Sequence, residues 1–90
     1  MAGQPIPALA SLEQQLLALI SERLLEVQPG FNVDSNLYLE GLDSLAIMQL
    51  LVLVENEYDV ILPERALTHE SFSTVRHLAL LVREHCSREA

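Results

Sequence analysis

Positive charge, aromatic rings and cysteine are all scarce in this chain of 90 residues. Five basic residues, every one an arginine, stand against thirteen acidic ones, for a formal net charge of −8. A surface of that sign repels phosphate, so neither nucleic acid nor an anionic membrane is an expected partner. It attracts a basic patch on another protein, chiefly by raising encounter rate and fixing orientation. Solubility alone accounts for the charge equally well. The one cysteine, Cys86, cannot close an intramolecular disulfide, and no spacing resembles a zinc site. That scarcity fits a reducing, cytoplasmic setting. Only Phe31, Tyr38, Tyr58 and Phe72 are aromatic, yet half of the chain is apolar. A core of Leu, Val and Ile with few rings suits a compact helical bundle. No apolar run approaches the length that spans a bilayer, and Met1 to Ala10 has neither the basic region nor the apolar run of a signal peptide. Ninety residues suffice for one small domain and not for two.

What is present is helical periodicity, broken twice. Residues 1–8 hold Gly3, Pro5 and Pro7 and read as a loose tail, leaving 9–90 as a single domain. The run Ser11-Leu12-Glu13-Gln14 predicts a capping box and a helix start near Ser11. Leu12, Leu16, Ile20 and Leu24 recur every four residues, extended by Leu9 and Val27, with Gln14, Gln15, Ala18, Glu22 and Glu26 opposite. This is an amphipathic helix, and Pro29-Gly30 predicts its end. From Phe31 to Asp43 the period fails. Turn formers (Asn32, Asp34, Ser35, Asn36, Gly41) alternate with Phe31, Val33, Leu37, Leu39 and Leu42. A loop this long in a small domain is functional or tied to the core, and its apolar residues predict tying.

A second helix is expected from Asp43-Ser44 to about Tyr58, burying Ile47, Leu50, Leu51, Val54 and Tyr58. Leu45, Met48 and Val52 form a further apolar stripe to one side. Glu55, Glu57 and Asp59 make the end of this helix acidic, against its dipole. Val60-Ile61-Leu62-Pro63 reads as a loop leading to a helical turn at Glu64 to Leu67, and a last helix runs from Ser73 or Thr74 to His85, with Val75, Leu78, Ala79, Val82 and Cys86 inward. The expected fold is all-α: three main helices, a minor helical turn and a long first loop.

The stretch richest in chemical meaning is Gly41-Leu42-Asp43-Ser44-Leu45. It sets a hydroxyl at a helix start, after a carboxylate and a glycine. Capping explains an arbitrary Asp-Ser pair, since both residues are favoured N-caps. Here, however, the stretch resembles the attachment motif of the acyl carrier protein family, with its peptidyl and aminoacyl relatives. Asp34, Leu37 and Leu42 are similar to that family's loop pattern, Tyr58-Asp59-Val60-Ile61-Leu62-Pro63 to its segment after the second helix, and Phe72-Ser73-Thr74-Val75 to the lead-in of its last helix. The resemblance spans roughly residues 9 to 87. It implies an acyl-carrier-like bundle whose Ser44 receives 4′-phosphopantetheine covalently from coenzyme A. The implied protein is a monomer and not an enzyme. Its implied partners are a phosphopantetheinyl transferase, a loading ligase for an acyl or aminoacyl group, and downstream acyl-processing enzymes.

The family's fatty acid carriers have an acidic second helix; the corresponding positions here are Ala46, Gln49 and Asn56. Recognition is therefore expected to lean on Leu45, Met48 and Val52. Met48-Gln49-Leu50 is similar to peptidyl carriers, and Ala46 with Gln49 and Leu50-Leu51 to aminoacyl ones, whereas Asp43 is the fatty-acid-like choice. The aminoacyl features are given more weight, in a specialised pathway. Two competing readings stand beside this one. The first is a cofactor-free helical interaction domain in which Asp43-Ser44 only caps a helix. The second is a hydrolase built on Ser44, His77 and an acid, which lacks a nucleophile elbow. Of His69, His77 and His85, the last two are eight residues apart and share roughly one face, but no suitable third ligand lies near them to make a metal site, and Cys86 reads as structural.

Overall fold

The computed structural model describes residues 8–85. The tail residues 1–7 and Cys86 lie outside them. Three α-helices, α1 (Leu9–Arg23), α2 (Ser44–Tyr58) and α3 (Val75–His85), are joined by a long first loop and by a second connection holding two 3₁₀ turns, Glu64–Ala66 and Glu70–Phe72. No strand occurs among the described residues. The predicted all-α bundle with a minor turn is what is observed, with the second 3₁₀ turn in addition.

Helix α1 buries Leu12, Leu16 and Ile20 completely and leaves Gln14, Gln15, Ala18 and Glu22 exposed, as its period requires; Glu26, exposed too, lies beyond its end. Both of its ends differ from expectation. It starts two residues before Ser11, with Ala8 at the N-cap and no side-chain cap. The capping box is therefore not used: Leu9 packs on the core, which extends the helix backwards and places Ser11 inside its first turn. It also ends at Arg23, well before Pro29-Gly30. The amides of Leu24 and Leu25 both reach back to the Ile20 carbonyl, at 3.1 and 2.9 Å, so the last turn widens and the chain leaves the helix. Gln28, which precedes a proline and is thereby biased away from helix, instead donates its amide to Glu40 Oε1 at 3.0 Å.

Loop residues 24–43 return the chain to the start of α2. The expected tying is present and polar as well as apolar. Leu37 is fully buried and Leu42 nearly so, with Phe31 and Val33 packed at the margin. Leu39 departs from expectation: it lies on a turn whose amide is held by Asn36 and is 83% exposed. Two backbone bonds stitch the loop to α3 and the residues before it, Leu37 N–H to Ser73 O at 2.8 Å and Arg76 N–H to Val33 O at 3.0 Å. The Arg76 guanidinium grips Asp34 with two hydrogen bonds, at 2.7 and 3.0 Å, and reaches Glu13 of α1 at 3.5 Å. Tyr38 stacks on His69, ring centroids 4.1 Å apart, and donates its hydroxyl to the His69 carbonyl at 2.9 Å.

Helix α2 spans its predicted range. Its inward ridge is Ala46, Leu50 and Val54, while Ile47, Leu51 and Tyr58 are only partly buried. Ala46, which stands where the family's fatty acid carriers are acidic, faces the core. At the far end, Tyr58 donates to Gln15 Oε1 at 2.9 Å, hooking α2 to α1. Burial, with Glu57 beside it, pushes the Tyr58 phenol above its usual range. Val60, Leu62 and Phe72 plug the core from the second connection, and α3 adds Val75, Leu78, Ala79, Leu81 and Val82. Helix α3 begins where Thr74 Oγ1 accepts the His77 amide at 3.1 Å, an N-cap in the expected place.

Two outcomes follow. Leu50→Ala truncates a side chain with no solvent exposure and should cost about 2–5 kcal/mol in urea unfolding, without changing the helical circular dichroism of the folded state. The guanidinium of Arg76 holds the Asp34 carboxyl below its ordinary value. Because the folded value is depressed, the pair's stabilisation is complete above the ordinary aspartate range and is lost as pH falls through the depressed value. The difference in denaturation midpoint between the native chain and Asp34→Asn should therefore be largest near neutral pH and vanish at strongly acid pH. A difference that persists there would mean the pair contributes through something other than charge.

Candidate functional site

A helix start presents backbone amides that the helix itself cannot satisfy. At α2 the cap is Asp43, in extended conformation, whose carboxylate accepts the Ala46 amide at 2.9 Å. Gly41, two residues earlier, has a φ of 111°, a left-handed value that an L side chain resists, so glycine at this position permits the turn into Asp43. Ser44 is the first helical residue and is exposed. Its hydroxyl makes no hydrogen bond within the described residues. Capping, the competing explanation of the Asp-Ser pair, is thus performed by Asp43 alone, and it leaves the serine oxygen open to solvent at the positive end of the helix dipole.

One turn and two turns along from Ser44 stand Met48 and Val52, with Leu45 alongside. These three are 65%, 56% and 66% exposed respectively, so the apolar stripe read from the sequence is a solvent-facing surface and not core. Gln49 and Asn56 are exposed beside it. Of the acids near the ends of the helix, Glu40 is engaged by the Gln28 amide, and Glu55 lies 3.5 Å from the Leu62 amide. Asp59 ends α2 in the left-handed conformation, at φ 53°. The acidic end that opposes the dipole is therefore partly structural.

The stripe also borders something the sequence did not disclose. Arg23 and Leu24, where α1 ends, face Met48, Gln49, Val52 and Leu53 of α2 across an open groove of about 480 Å³. Met48 and Val52 were identifiable from their period. Leu24 was also named from its period, but as part of an inward stripe; Arg23 and Leu53 were not named, because the groove exists only where one helix unwinds beside another.

The other candidates are engaged elsewhere. The His77 ring bonds Thr74 Oγ1 at 2.8 Å and lies 3.4 Å from Ser73 Oγ and 3.9 Å from Glu70. It makes no hydrogen bond to Ser44, so the Ser44–His77 pairing of the hydrolase reading is not assembled. His69 stacks on Tyr38 and His85 lies 3.2 Å from the Leu81 carbonyl. Among the described residues no three His, Cys, Asp or Glu side chains form a group that could hold a metal ion, and no helix is long and apolar enough to cross a membrane.

Residues 14–82 match the model of one protein family, described as a phosphopantetheine attachment site. No curated protein matches the chain.

The division of labour at the start of α2 predicts a contrast. Asp43→Ala removes the cap and should cost about 0.5–2 kcal/mol, whereas Ser44→Ala should stay within about 0.5 kcal/mol of the native chain, as for a surface position without partners. Equal losses in parallel urea titrations would show that the serine hydroxyl shares the capping.

Proposed function

The chain belongs to the phosphopantetheine attachment family, whose members are covalent carriers of that cofactor, and we propose that Ser44 is its attachment residue, with residues 9–90 acting as one carrier unit. The observation that carries this reading is the exposed Ser44 hydroxyl, left unused by a cap that Asp43 supplies. The residues present suit the group. On transfer from coenzyme A, Ser44 Oγ would lose its proton and bond to the pantetheine-side phosphorus as the pyrophosphate bond breaks and adenosine 3′,5′-bisphosphate leaves, so that Oγ becomes the ester oxygen. The resulting phosphodiester anion lies at the amino end of a 15-residue helix, where first-turn amides and the dipole favour negative charge by about 0.3–1 kcal/mol. Asp43, the nearest carboxylate in sequence, is turned onto the Ala46 amide.

When bound, the arm supplies a terminal thiol that holds an acyl or aminoacyl group as a thioester. The chain's own residues need then provide no acid, base or oxyanion donor. They place the arm and present the surface that enzymes read. Leu45, Met48 and Val52 offer partners a row of apolar anchors, suited to brief complexes in which a few buried side chains carry most of the energy. The acids around the ends of α2 orient basic partner surfaces. Such partners are a phosphopantetheinyl transferase, a ligase that loads the thiol, and enzymes of a specialised biosynthetic pathway, met in the cytoplasm by a monomeric carrier.

Intact-mass measurement after incubation with coenzyme A and a broad-specificity phosphopantetheinyl transferase tests the reading. One phosphopantetheinyl group should be gained by the native chain and none by Ser44→Ala, which should remain folded. No gain by the native chain would return the molecule to the cofactor-free interaction domain, and a gain by the variant would move the attachment elsewhere.

A further inference from the structure

Leu39 and Glu40 stand in the reverse of the order that burial favours. The leucine is 83% exposed. The carboxylate beside it is half-buried and turned back onto the chain, its Oε1 accepting the Gln28 amide at 3.0 Å. An apolar side chain outward and a charged one inward break a local rule, and such breaks point to function. The bond joins two turns. Gln28-Pro29-Gly30-Phe31 has the pattern of a type II turn, with proline second, glycine third at φ 90°, and the Phe31 amide on the Gln28 carbonyl at 3.1 Å. Residues 36–42 form the other. There the Leu39 amide returns to the Asn36 carbonyl at 3.1 Å, and the Glu40 and Leu42 amides share the Leu37 carbonyl at 3.0 and 3.1 Å. Each turn is held by its own bonds, and the Glu40 side chain links them. Because α1 has ended at Arg23, the Gln28 amide has no helical acceptor and takes the carboxylate instead.

We infer that Glu40 is a positioning residue for the loading of Ser44: its reach to the Gln28 amide, and not its charge, holds the turn from which Gly41 and Asp43 lead into α2. This deepens the attachment at Ser44 and rests on it. The turn at 36–42 has one anchor toward α3, the Leu37 amide on the Ser73 carbonyl at 2.8 Å, and one across the loop, Glu40 on Gln28. With the second anchor gone, the turn pivots about Leu37 and carries Gly41 and Asp43 with it. The Asp43 cap on the Ala46 amide keeps the helix itself formed, so the approach to the serine changes without unfolding. A transferase then finds the productive arrangement in a fraction of the molecules, and its apparent affinity for the carrier falls by that fraction. A molecule bound productively still reacts at the native rate. Glu40 thus differs from the acids at the far end of α2, which act on a partner through their field; Glu40 acts within the chain, through a bond of fixed length that pre-organises the site.

Three substitutions separate reach from charge. Glu40→Gln keeps the acceptor oxygen and the length but not the charge; Glu40→Asp keeps the charge and is one methylene shorter; Glu40→Ala keeps neither. Each full chain is loaded from coenzyme A by a broad-specificity phosphopantetheinyl transferase, with kcat and KM toward the carrier followed by intact mass, and hydrogen exchange of the Gln28 amide is read by NMR. Glu40→Ala and Glu40→Asp should raise KM about two- to tenfold, the population change that one net hydrogen bond corresponds to, leave kcat unchanged, and speed exchange at Gln28. Glu40→Gln should match the native chain in all three. A Gln variant as poor as the Ala variant, beside a native-like Asp variant, would show that the transferase reads the charge and overturn the inference. So would a native KM in Glu40→Ala or Glu40→Asp whose Gln28 amide exchanges freely. Where circular dichroism shows the Ala variant unfolded, the Gln and Asp variants decide alone. Failure of the native chain to gain mass would instead remove the attachment at Ser44, and the inference with it.

Discussion

Everything at the start of α2 depends on where the first loop is fastened. Twenty residues separate Arg23 from Ser44, and without attachments such a segment would let the second helix slide against the first. The fastening comes from α3 and the residues just before it. The Ser73 carbonyl takes the Leu37 amide, the Val33 carbonyl takes the Arg76 amide, and the Arg76 side chain spans from Asp34 to Glu13. Leu37 and Leu42 fill the space beneath. One arginine near the start of the last helix thus ties the loop to the first helix, although neither it nor its partners lie near the serine in sequence. The exposed position of Ser44 is a product of the whole bundle and not of its five-residue motif alone.

The polar side chains inside the loop explain how it holds a shape between those anchors. Asn32 accepts the Asp34 amide, Ser35 accepts the Asn32 amide, and Asn36 accepts the Tyr38 amide, each at 2.8–2.9 Å. These are side-chain substitutes for backbone turns, the property that keeps such residues out of helices and concentrates them in turns. The loss of period between Phe31 and Asp43 therefore reflects a second kind of order, local and short-range. Leu39 points outward because the Asn36 turn places it at a corner, where alternation of apolar and polar residues no longer predicts direction.

Legibility from sequence followed the range of the forces involved. Periodicity identified all three helices and most of their buried faces, since side-chain direction along a helix is fixed within a few residues. The bounds of α1 were misjudged at both ends for one reason: they are set by tertiary contacts. Leu9 against the core draws the start forward past a plausible capping box, and Glu40 on the Gln28 amide holds the chain after the helix has already opened. Ala46 was left out of the expected buried face, although its i+4 and i+8 neighbours Leu50 and Val54 put it on the inward ridge. The serine was legible because a helix start is a local event. The groove beside it was not, since Arg23 and Leu53 stand thirty residues apart and only folding brings their helices together.

The scarcity of positive charge acquires a physical role once the apolar stripe is seen to be outside. Leu45, Met48 and Val52 contribute little to the core, and an exposed apolar patch on a small protein invites association with its like. Like copies of a chain with net charge −8 repel one another, which opposes that association without covering the patch. Basic partners are drawn to the same surface by the same field. The charge thus separates two encounters that apolar area alone would treat equally: copy with copy is disfavoured, and copy with a cationic enzyme surface is favoured. On this argument the acidity belongs less to any single carboxylate around α2 than to the balance over the whole chain. That is why the stripe can remain open although Gln49 and Asn56 carry none of the charge.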